Sequence, residues 1–201
     1  MTAPSTSQVV ALLLAAGASR RFGSDKRLAR LDDGRPLLGT CLANARSAFA
    51  DVRVVLRVDD QPAALGIAPD TPVIRSAQAH LGMGHSLAAG VRALADSPAE
   101  AVAILLADMP WLQVDTLVQL AARASAQHIV LPLCDGHRGH PVIIGRHFWP
   151  MLEMLSGDQG ARAVVAAHPQ AWICVPCNDR GTLLDADTPT ALSQALRAHP
   201  A

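Results

Sequence analysis

Residues 12–26 read LLLAAGASRRFGSDK and predict the first strand of the fold together with a phosphate-binding loop. An apolar run at residues 9–14 leads into Gly, Ala and Ser residues, and the cations Arg20, Arg21 and Lys26 follow. Small residues allow backbone N–H groups to approach an anion closely, and nearby cations neutralise its charge. The loop is neither a Walker A loop nor a three-glycine dinucleotide loop. The stretch therefore predicts a buried strand that leads into a phosphate-holding turn.

The composition is that of a chain with a large core. Half of the 201 residues are apolar, which is enough for one domain, residues 1–201, to bury about 70% of its unfolded surface. Seventeen basic residues balance seventeen acidic ones, so no net field favours nucleic acid or a membrane surface. Three Trp, three Phe and no Tyr leave few rings for stacking on bases. We therefore expect no nucleic-acid or membrane partner.

No targeting segment is expected either. The apolar stretches end well short of the roughly 20 residues of a membrane span, and the start, MTAPSTSQVV, lacks the basic region of a signal peptide. We therefore expect a cytoplasmic protein whose four cysteines are thiols. Cys174 and Cys177 form a single C-x-x-C, which has too few ligands for a structural zinc site, and we interpret them as apolar strand residues.

The chain alternates predicted strands and helices. Short apolar or β-branched runs predict strands at residues 9–14, 52–58, 73–74, 102–107, 129–133, 141–144 and 172–175. Helical periodicity and capping residues predict helices that start at Pro36, at the caps Ser86 and Asp115, near Met151 and Ala161, and at Pro189 with Thr188 as cap. Strands joined through helices imply right-handed crossovers. The fold class is therefore α/β, with a mostly parallel sheet and helices on both faces.

Acidic residues follow two of the apolar stretches. In such sheets ligands gather at the carboxyl ends of the strands. Asp108 follows the strand at residues 102–107, and Asp185 and Asp187 follow the apolar residues near Leu183. Magnesium keeps several waters and takes one or two carboxylates plus phosphate oxygens. The pattern predicts a divalent cation between protein and nucleotide, although each carboxylate alone also fits a turn or helix cap.

The loop and four later segments resemble one family. LAAGASRRFGSDK is similar to the L-A-A-G-x-S-x-R-x-G-x-x-K signature of the MobA-like nucleotidyltransferases, with Arg27 added beside the lysine. HLGMGHSLAAGV resembles the family's G-x-x-x-S-L segment, LLADMPW its Asp-Met-Pro, RGHPVII its Gly-His-Pro and LLDADTPTAL its Asp-x-Asp-Thr-Pro. The Ala-Ala-Gly form is more similar to the molybdenum cofactor cytidylyltransferases than to the guanylyltransferases, which usually read Ala-Gly-Gly.

The resemblance implies a three-layer αβα, Rossmann-like nucleotidyltransferase fold and a magnesium-dependent reaction. In that reaction CMP passes from CTP to the terminal phosphate of molybdenum-molybdopterin, pyrophosphate leaves, and molybdopterin cytosine dinucleotide forms. The partners would be CTP or another NTP, the molybdopterin-type acceptor and a molybdoenzyme client.

The resemblance and the residue pattern together assign the site. Catalytic roles are expected for Arg20, Lys26 and Asp108, and Arg21 is the neighbour of Arg20. The metal ligands are Asp108 and one of Asp185 and Asp187. The nucleotide-binding set is Leu14, Ala15, Ala16, Gly17, Ala18, Ser19, Arg20, Lys26, Gly82, Gly84 and Ser86. His140 is assigned to the acceptor substrate.

Several assignments have alternatives. Gly82 and Gly84 also fit a plain strand-to-helix turn, His140 fits a turn histidine bonded to backbone groups, and Asp158 is interpreted as a helix cap. A rival with the same chemistry uses GTP or a sugar phosphate. A non-enzymatic rival is a carrier or chaperone that passes molybdenum cofactor to an apoenzyme. Arg20, Lys26 and Asp108 speak against the carrier, because a pure carrier has no need of a metal–triphosphate site.

Overall fold

The computed structural model describes residues 8–17, 19, 22–188 and 192. Within these residues one sheet contains the eight strands β1 Val9–Leu14, β2 Asp51–Arg57, β3 Val73–Ser76, β4 Ala101–Leu106, β5 Ile129–Cys134, β6 His137–Arg138, β7 Val142–Gly145 and β8 Trp172–Pro176. The strand order is β3-β2-β1-β4-β7-β5-β6, and β8 also pairs with β5. The helices are α1 Leu37–Ala48, α2 Met83–Arg92, α3 Val114–Ala121, α4 Trp149–Glu153 and α5 Arg162–Ala167.

The sheet is mostly parallel, as the sequence predicts. β1 pairs in parallel with β2 and β4, β2 with β3, and β5 with β8. β7 runs antiparallel to both β4 and β5. β8 occupies one edge of β5. The other edge of β5 pairs with both β6 and β7, which together act as one interrupted antiparallel strand.

Helices cover both faces, which makes three layers. All six residues of β1 are buried, as expected for a strand with packed layers above and below it. Val9, Ala11 and Leu13 join a core with residues of α1 and α3. Val10, Leu12 and Leu14 join a second core with residues of α2, α4 and α5. The period of two along β1 thus directs alternate side chains into the two cores.

Several predicted caps are wrong because longer-range contacts set the helix starts. Pro36 is the N-cap of α1 rather than its first helical residue. Ser86 lies inside α2, which starts after Gly82. Asp115 lies in the first turn of α3, and the start of that helix is held by Asp179, whose carboxylate accepts from the Gln113 N–H at 2.9 Å. The helix predicted from Pro189 lies outside the described residues.

Other predictions concern the cysteines and the membrane. All four cysteines are free thiols, as expected. Cys174 lies in β8, as predicted, but its side chain is exposed rather than packed. Among the described residues, no helix has the length and apolarity needed to cross a membrane.

Candidate functional site

A cavity of about 670 Å³ opens at the carboxyl ends of the central strands. The loop after β1 is tied to both neighbouring strands, because the Ala15 N–H donates to Val55 O at 2.9 Å and the Ala107 N–H donates to Leu14 O at 3.2 Å. The wall is formed by this loop, the start of α2 and the end of β4, and it comprises Leu14, Ala15, Ala16, Gly17, Ser19, Lys26, Arg27, Ala79, His80, Leu81, Gly82, Met83, Ser86, Leu106, Ala107, Asp108, Asp158 and Asp187.

An ammonium group lies between two carboxylates at this cavity. Lys26 Nζ is 2.6 Å from Asp108 Oδ2 and 2.9 Å from Asp187 Oδ1. Lys26 begins a short 3-10 turn that Asp25 caps by accepting from the Arg27 N–H. Side chains that are 82 and 161 residues apart in sequence thus meet at one edge of the sheet.

Backbone contacts place the second carboxylate. The Ala186 N–H donates to Asp108 O at 2.8 Å, and the Ala186 side chain is fully buried. Its neighbour Asp187 borders the cavity, whereas Asp185 does not. The backbone bond between Ala186 and Asp108 therefore brings the chain that carries Asp187 to the end of β4.

Lys26, Asp108 and Asp187 form the charged cluster of the described residues at this cavity. Burial lowers the pKa of Lys26, but the charges and hydrogen bonds of Asp108 and Asp187 outweigh burial and raise it overall. Lys26 is therefore protonated at neutral pH, and one ammonium faces two carboxylates. Asp108 Oδ1 is buried and has no hydrogen-bond partner among the described residues. An uncompensated buried carboxylate oxygen is costly unless a further donor or cation approaches it.

The donor set fits a divalent cation that takes only part of its ligands from the protein. Within the described part of the chain, no group of three or more His, Cys, Asp or Glu side chains is placed to hold a metal ion. Magnesium takes one or two carboxylates and completes its shell with waters and phosphate oxygens. The unpartnered Asp108 Oδ1 and the neighbouring Asp187 fit that requirement.

The phosphate-type loop has open space at its glycine. A Cβ added to Gly17 would meet nothing within 4 Å. Ser19 lies beside the lysine turn, since its Oγ accepts from the Lys26 N–H at 3.3 Å. Of the predicted loop residues, Leu14, Ala15, Ala16, Gly17 and Ser19 border the cavity. Ala18, Arg20 and Arg21 lie outside the described residues.

The start of α2 forms the opposite wall. Gly82 has φ +125°, and a Cβ there would collide with the backbone of Gly157 and lie 2.5 Å from Asp158 Oδ1. Gly82 and Ser86 border the cavity. Gly84 does not border it, because this residue packs against the neighbouring loop, and its N–H donates to Gly157 O at 2.8 Å.

His140 lies near Asp108 but does not border the cavity. Its N–H donates to Thr182 O at 2.8 Å, and its peptide bond to Pro141 is cis. Nδ1 is buried and has no hydrogen-bond partner among the described residues. Burial lowers the pKa of His140 and outweighs the opposing attraction of Asp108, so the ring is neutral at neutral pH.

Sequence reasoning missed two residues of this site. Arg27 is only 3% exposed and donates to Ala15 O in the loop, although the sequence shows it as an extra cation beside Lys26. Asp158 borders the cavity instead of capping α5, whose N-cap is Ala161. For Arg27, the sequence offered one signal, which is an arginine directly after the lysine of the motif. The position of Asp158 depends on how the loop before α5 packs on Gly82, and no local sequence pattern encodes that packing.

Known proteins resemble both the sequence and the fold. The sequence profile of the MobA-like NTP transferase domain matches residues 11–172. The chain is 32% identical over 200 residues to the purine catabolism protein PucB of Bacillus subtilis, an alignment covering 94% of this chain and 97% of that protein. It is 31% identical over 132 residues to a probable molybdenum cofactor guanylyltransferase of Mycobacterium tuberculosis, covering 65% of this chain and 64% of that protein.

Among solved structures, Rv0371C of Mycobacterium tuberculosis H37Rv in complex with manganese is similar with a TM-score of 0.77 and 24% identity, over 96% of this chain and 100% of that one. That similarity supports the three-layer architecture. The family profile spans most of the chain, and a relative above 30% identity aligns along nearly its whole length. The chain therefore belongs to the MobA-like NTP transferase domain family and is a nucleotidyltransferase.

Proposed function

We propose that the protein transfers CMP from CTP to the terminal phosphate of molybdenum-molybdopterin and releases pyrophosphate. The observation that carries this proposal is the position of Lys26 between Asp108 and Asp187, at a cavity that also borders the small-residue loop after β1. A cation, two carboxylates and a loop of small residues are groups that can hold a metal–triphosphate complex.

The chemistry requires positioning more than an activated side chain. An oxygen of the acceptor phosphate attacks the α-phosphorus of CTP and forms a new P–O bond. The bond from that phosphorus to the oxygen of the β-phosphate breaks, and pyrophosphate leaves with the electron pair. Because the acceptor is already an anionic phosphate, alignment of the two substrates and neutralisation of their charge carry the rate.

The loop and its cations hold the triphosphate in this proposal. Amides from Ala16 to Ser19 bind phosphate oxygens, whereas the Ala15 N–H is already used by Val55 O. Lys26 counters the charge of the departing pyrophosphate. Arg20 has the same proposed role, while the signature L-A-A-G-x-S-x-R aligns its arginine with Arg21. Both arginines therefore belong in a test of triphosphate binding.

Asp108 and Asp187 would hold magnesium, with Asp185 as the less favoured partner because its side chain does not border the cavity. When bound, the ion would neutralise part of the negative charge of the triphosphate. The structural relative solved in complex with manganese is consistent with a divalent cation in this fold. His140 is the proposed acceptor contact, because its buried Nδ1 has no hydrogen-bond partner among the described residues and its ring lies near Asp108.

A second candidate uses GTP in place of CTP. It is favoured by the 31% identity to a probable molybdenum cofactor guanylyltransferase. The Ala-Ala-Gly form of the loop favours CTP, because the guanylyltransferases usually read Ala-Gly-Gly. The two candidates share every charged group of the site and differ in the contacts to the base.

Pyrophosphate release separates these candidates. The purified protein is incubated with magnesium and CTP, GTP, ATP or UTP in turn, with and without molybdenum-molybdopterin. We expect release with CTP that depends on the acceptor. Release with GTP alone would establish the second candidate. No release with any nucleotide, including trials with sugar phosphates as acceptors, would favour a cofactor carrier.

The site itself is tested by Asp108→Asn. Removing one preorganised charge contact should lower turnover on the order of a hundredfold or more. The neutral amide lacks the negative charge with which Asp108 would hold magnesium. Turnover is measured at saturating CTP and magnesium, with Asp96→Asn as control, since Asp96 is exposed and does not border the cavity. Near-full turnover of Asp108→Asn would contradict its assignment.

A further inference from the structure

Arg27 uses all of its donors inside the protein. Its Nη1 donates to Ala15 O at 2.9 Å and to Asp60 Oδ2 at 2.6 Å. Its Nη2 donates to Asp60 Oδ1 at 2.8 Å and to Asp25 Oδ2 at 2.6 Å, and its Nε donates to Asp25 Oδ1 at 2.8 Å. A guanidinium has five N–H donors. Arg27 borders the cavity, yet its donors are directed at the protein rather than reserved for a ligand.

Asp60 connects this guanidinium to the neighbouring strands. The carboxylate also accepts from the Arg57 N–H at 2.9 Å and from Arg57 Nη2 at 2.9 Å. Burial raises the pKa of Asp60, but its hydrogen bonds to Arg27 and Arg57 outweigh burial and hold the pKa well below its usual range. Arg75 Nη1 donates to the main-chain oxygens of Arg57 and Asp60. The ends of β1, β2 and β3 are thereby held together.

The bond to Ala15 O has a consequence for the loop. The Ala15 carbonyl and the Ala16 N–H belong to one planar trans peptide unit, so they point in opposite directions. A charged donor that holds the carbonyl therefore also holds the direction of that N–H, in a loop that borders the cavity. Through Asp25, the same guanidinium holds the cap of the turn that carries Lys26.

We infer that Arg27 is a positioning residue that preorganises the loop amides and Lys26 for a nucleoside triphosphate without touching it. This inference rests on the proposed function. It gives a role to Arg27, the cation that follows the last lysine of the signature. The competing explanation is stability alone, because buried ion pairs are often worth little net stability, whereas removing one partner is costly.

Three variants separate the two explanations. Arg27→Met removes the bond to Ala15 O and leaves Asp60 with Arg57. Arg57→Met is the matched control, because Arg57 binds the same carboxylate but does not border the cavity, and its Nη2 lies 4.0 Å from Asp25 Oδ2, against 2.6 Å for Arg27 Nη2. Arg27→Met combined with Asp60→Asn also removes the buried carboxylate that has lost one of its two arginines, so we expect this double variant to be more stable than the single variant.

The measurements are the dissociation constant of magnesium–CTP, by calorimetry on folded protein, and the midpoint of thermal unfolding. We expect Arg27→Met to weaken binding about tenfold or more, the loss of one hydrogen bond to a charged group, and Arg57→Met to change it less than about threefold. The double variant should recover much of the unfolding midpoint of the wild type while its binding stays weak.

Two outcomes would overturn the inference. Wild-type affinity in Arg27→Met, or recovery of both stability and affinity in the double variant, would show that Arg27 contributes stability only. Wild-type protein that binds none of the nucleoside triphosphates would overturn the proposed function instead, and the inference with it. The two failures are distinguished by the wild-type titration alone.

Discussion

Lys26 is the only lysine among the 201 residues, since the other sixteen basic residues are arginines. An ammonium is a compact point charge on a flexible stem, whereas a guanidinium is a planar fork that matches one carboxylate in a bidentate way. Lys26 contacts Asp108 and Asp187 from one nitrogen, while Arg27 forms the fixed fork with Asp25 and Asp60 behind it. Of these two adjacent cations, Lys26 thus supplies positive charge to the site, and Arg27 holds the structure behind it.

The single lysine makes its titration directly measurable. Labelling with 15N-lysine gives one side-chain Nζ signal, and we expect its pKa to lie above the ordinary value of 10.5 because Asp108 and Asp187 outweigh burial. Asp108→Asn removes the strongest opposing charge and leaves the burial, so the pKa of Lys26 should fall. An unchanged titration in this variant would show that the Lys26–Asp108 pair does not form in solution.

His140 should make the protein less stable in acid. Its pKa is lowered in the folded state, so as pH falls below about 6.5 the unfolded chain takes up a proton that the folded protein resists. Stability is therefore intact above that pH and is lost as pH falls towards the folded pKa. Urea unfolding at several pH values between 7.5 and 5 should show a shallower loss in His140→Gln. Equal slopes would mean that His140 titrates normally in the folded state.

At the scale of elements, the two walls of the cavity have opposite tolerance for side chains. The loop after β1 leaves space around Gly17, whereas the start of α2 is pressed against the loop that contains Gly157 and Asp158. Gly82 combines this close approach with a positive φ that L residues rarely adopt. In our proposal, Gly17 therefore leaves space for the ligand, whereas Gly82 allows the start of α2 to pack closely against the neighbouring loop.

Two alanine variants test this difference. Gly82→Ala should destabilise folding by about 1–3 kcal/mol, because its Cβ meets backbone atoms at a strained φ. Gly17→Ala should leave the free energy of unfolding nearly unchanged and weaken nucleotide binding, since the added methyl occupies space that the phosphates approach. Urea unfolding and nucleotide titration are measured on both. Equal stability of the two variants would contradict the packing at the start of α2.

At the scale of the whole molecule, the cavity joins the first strand to residues near the end of the described chain. Lys26 follows β1, Asp108 follows β4, and Asp187 is paired through Ala186 to the Asp108 backbone. A ligand that bridges these groups contacts both the amino-terminal and carboxyl-terminal parts of the sheet. Binding should therefore stabilise the fold as one unit.

Thermal unfolding tests that coupling. We expect one cooperative transition, as for a single domain, and a rise in its midpoint with magnesium–CTP equivalent to about 2.7 kcal/mol at a hundredfold excess over the dissociation constant. Asp108→Asn should lose most of the shift. Two separate transitions, only one of which responds to nucleotide, would contradict a single domain over residues 1–201.

Local pattern accounts for the architecture. Apolar runs such as residues 102–107 predict strands because strands covered on both faces must be apolar throughout, and the intervening helical periods then require a mostly parallel sheet. The parallel sheet in turn brings the residues that follow β1 and β4 to one edge. The helix starts were less predictable, because Asp179 and Gly82 act there through contacts that local sequence does not contain.

The sequence by itself determined seven of the eight strands, the two-sided sheet, the loop after β1 and the approach of Lys26 to Asp108, since these follow from periodicity and from the direction of parallel strands, whereas the two-residue strand β6 is too short to show a period. Only the tertiary structure decided that Asp187 rather than Asp185 borders the cavity, that Arg27 is buried beneath the loop, and that Asp158 forms part of the wall. The reason is physical. Burial and partner choice depend on segments that meet in space after folding, and a side chain's neighbours in sequence do not specify them.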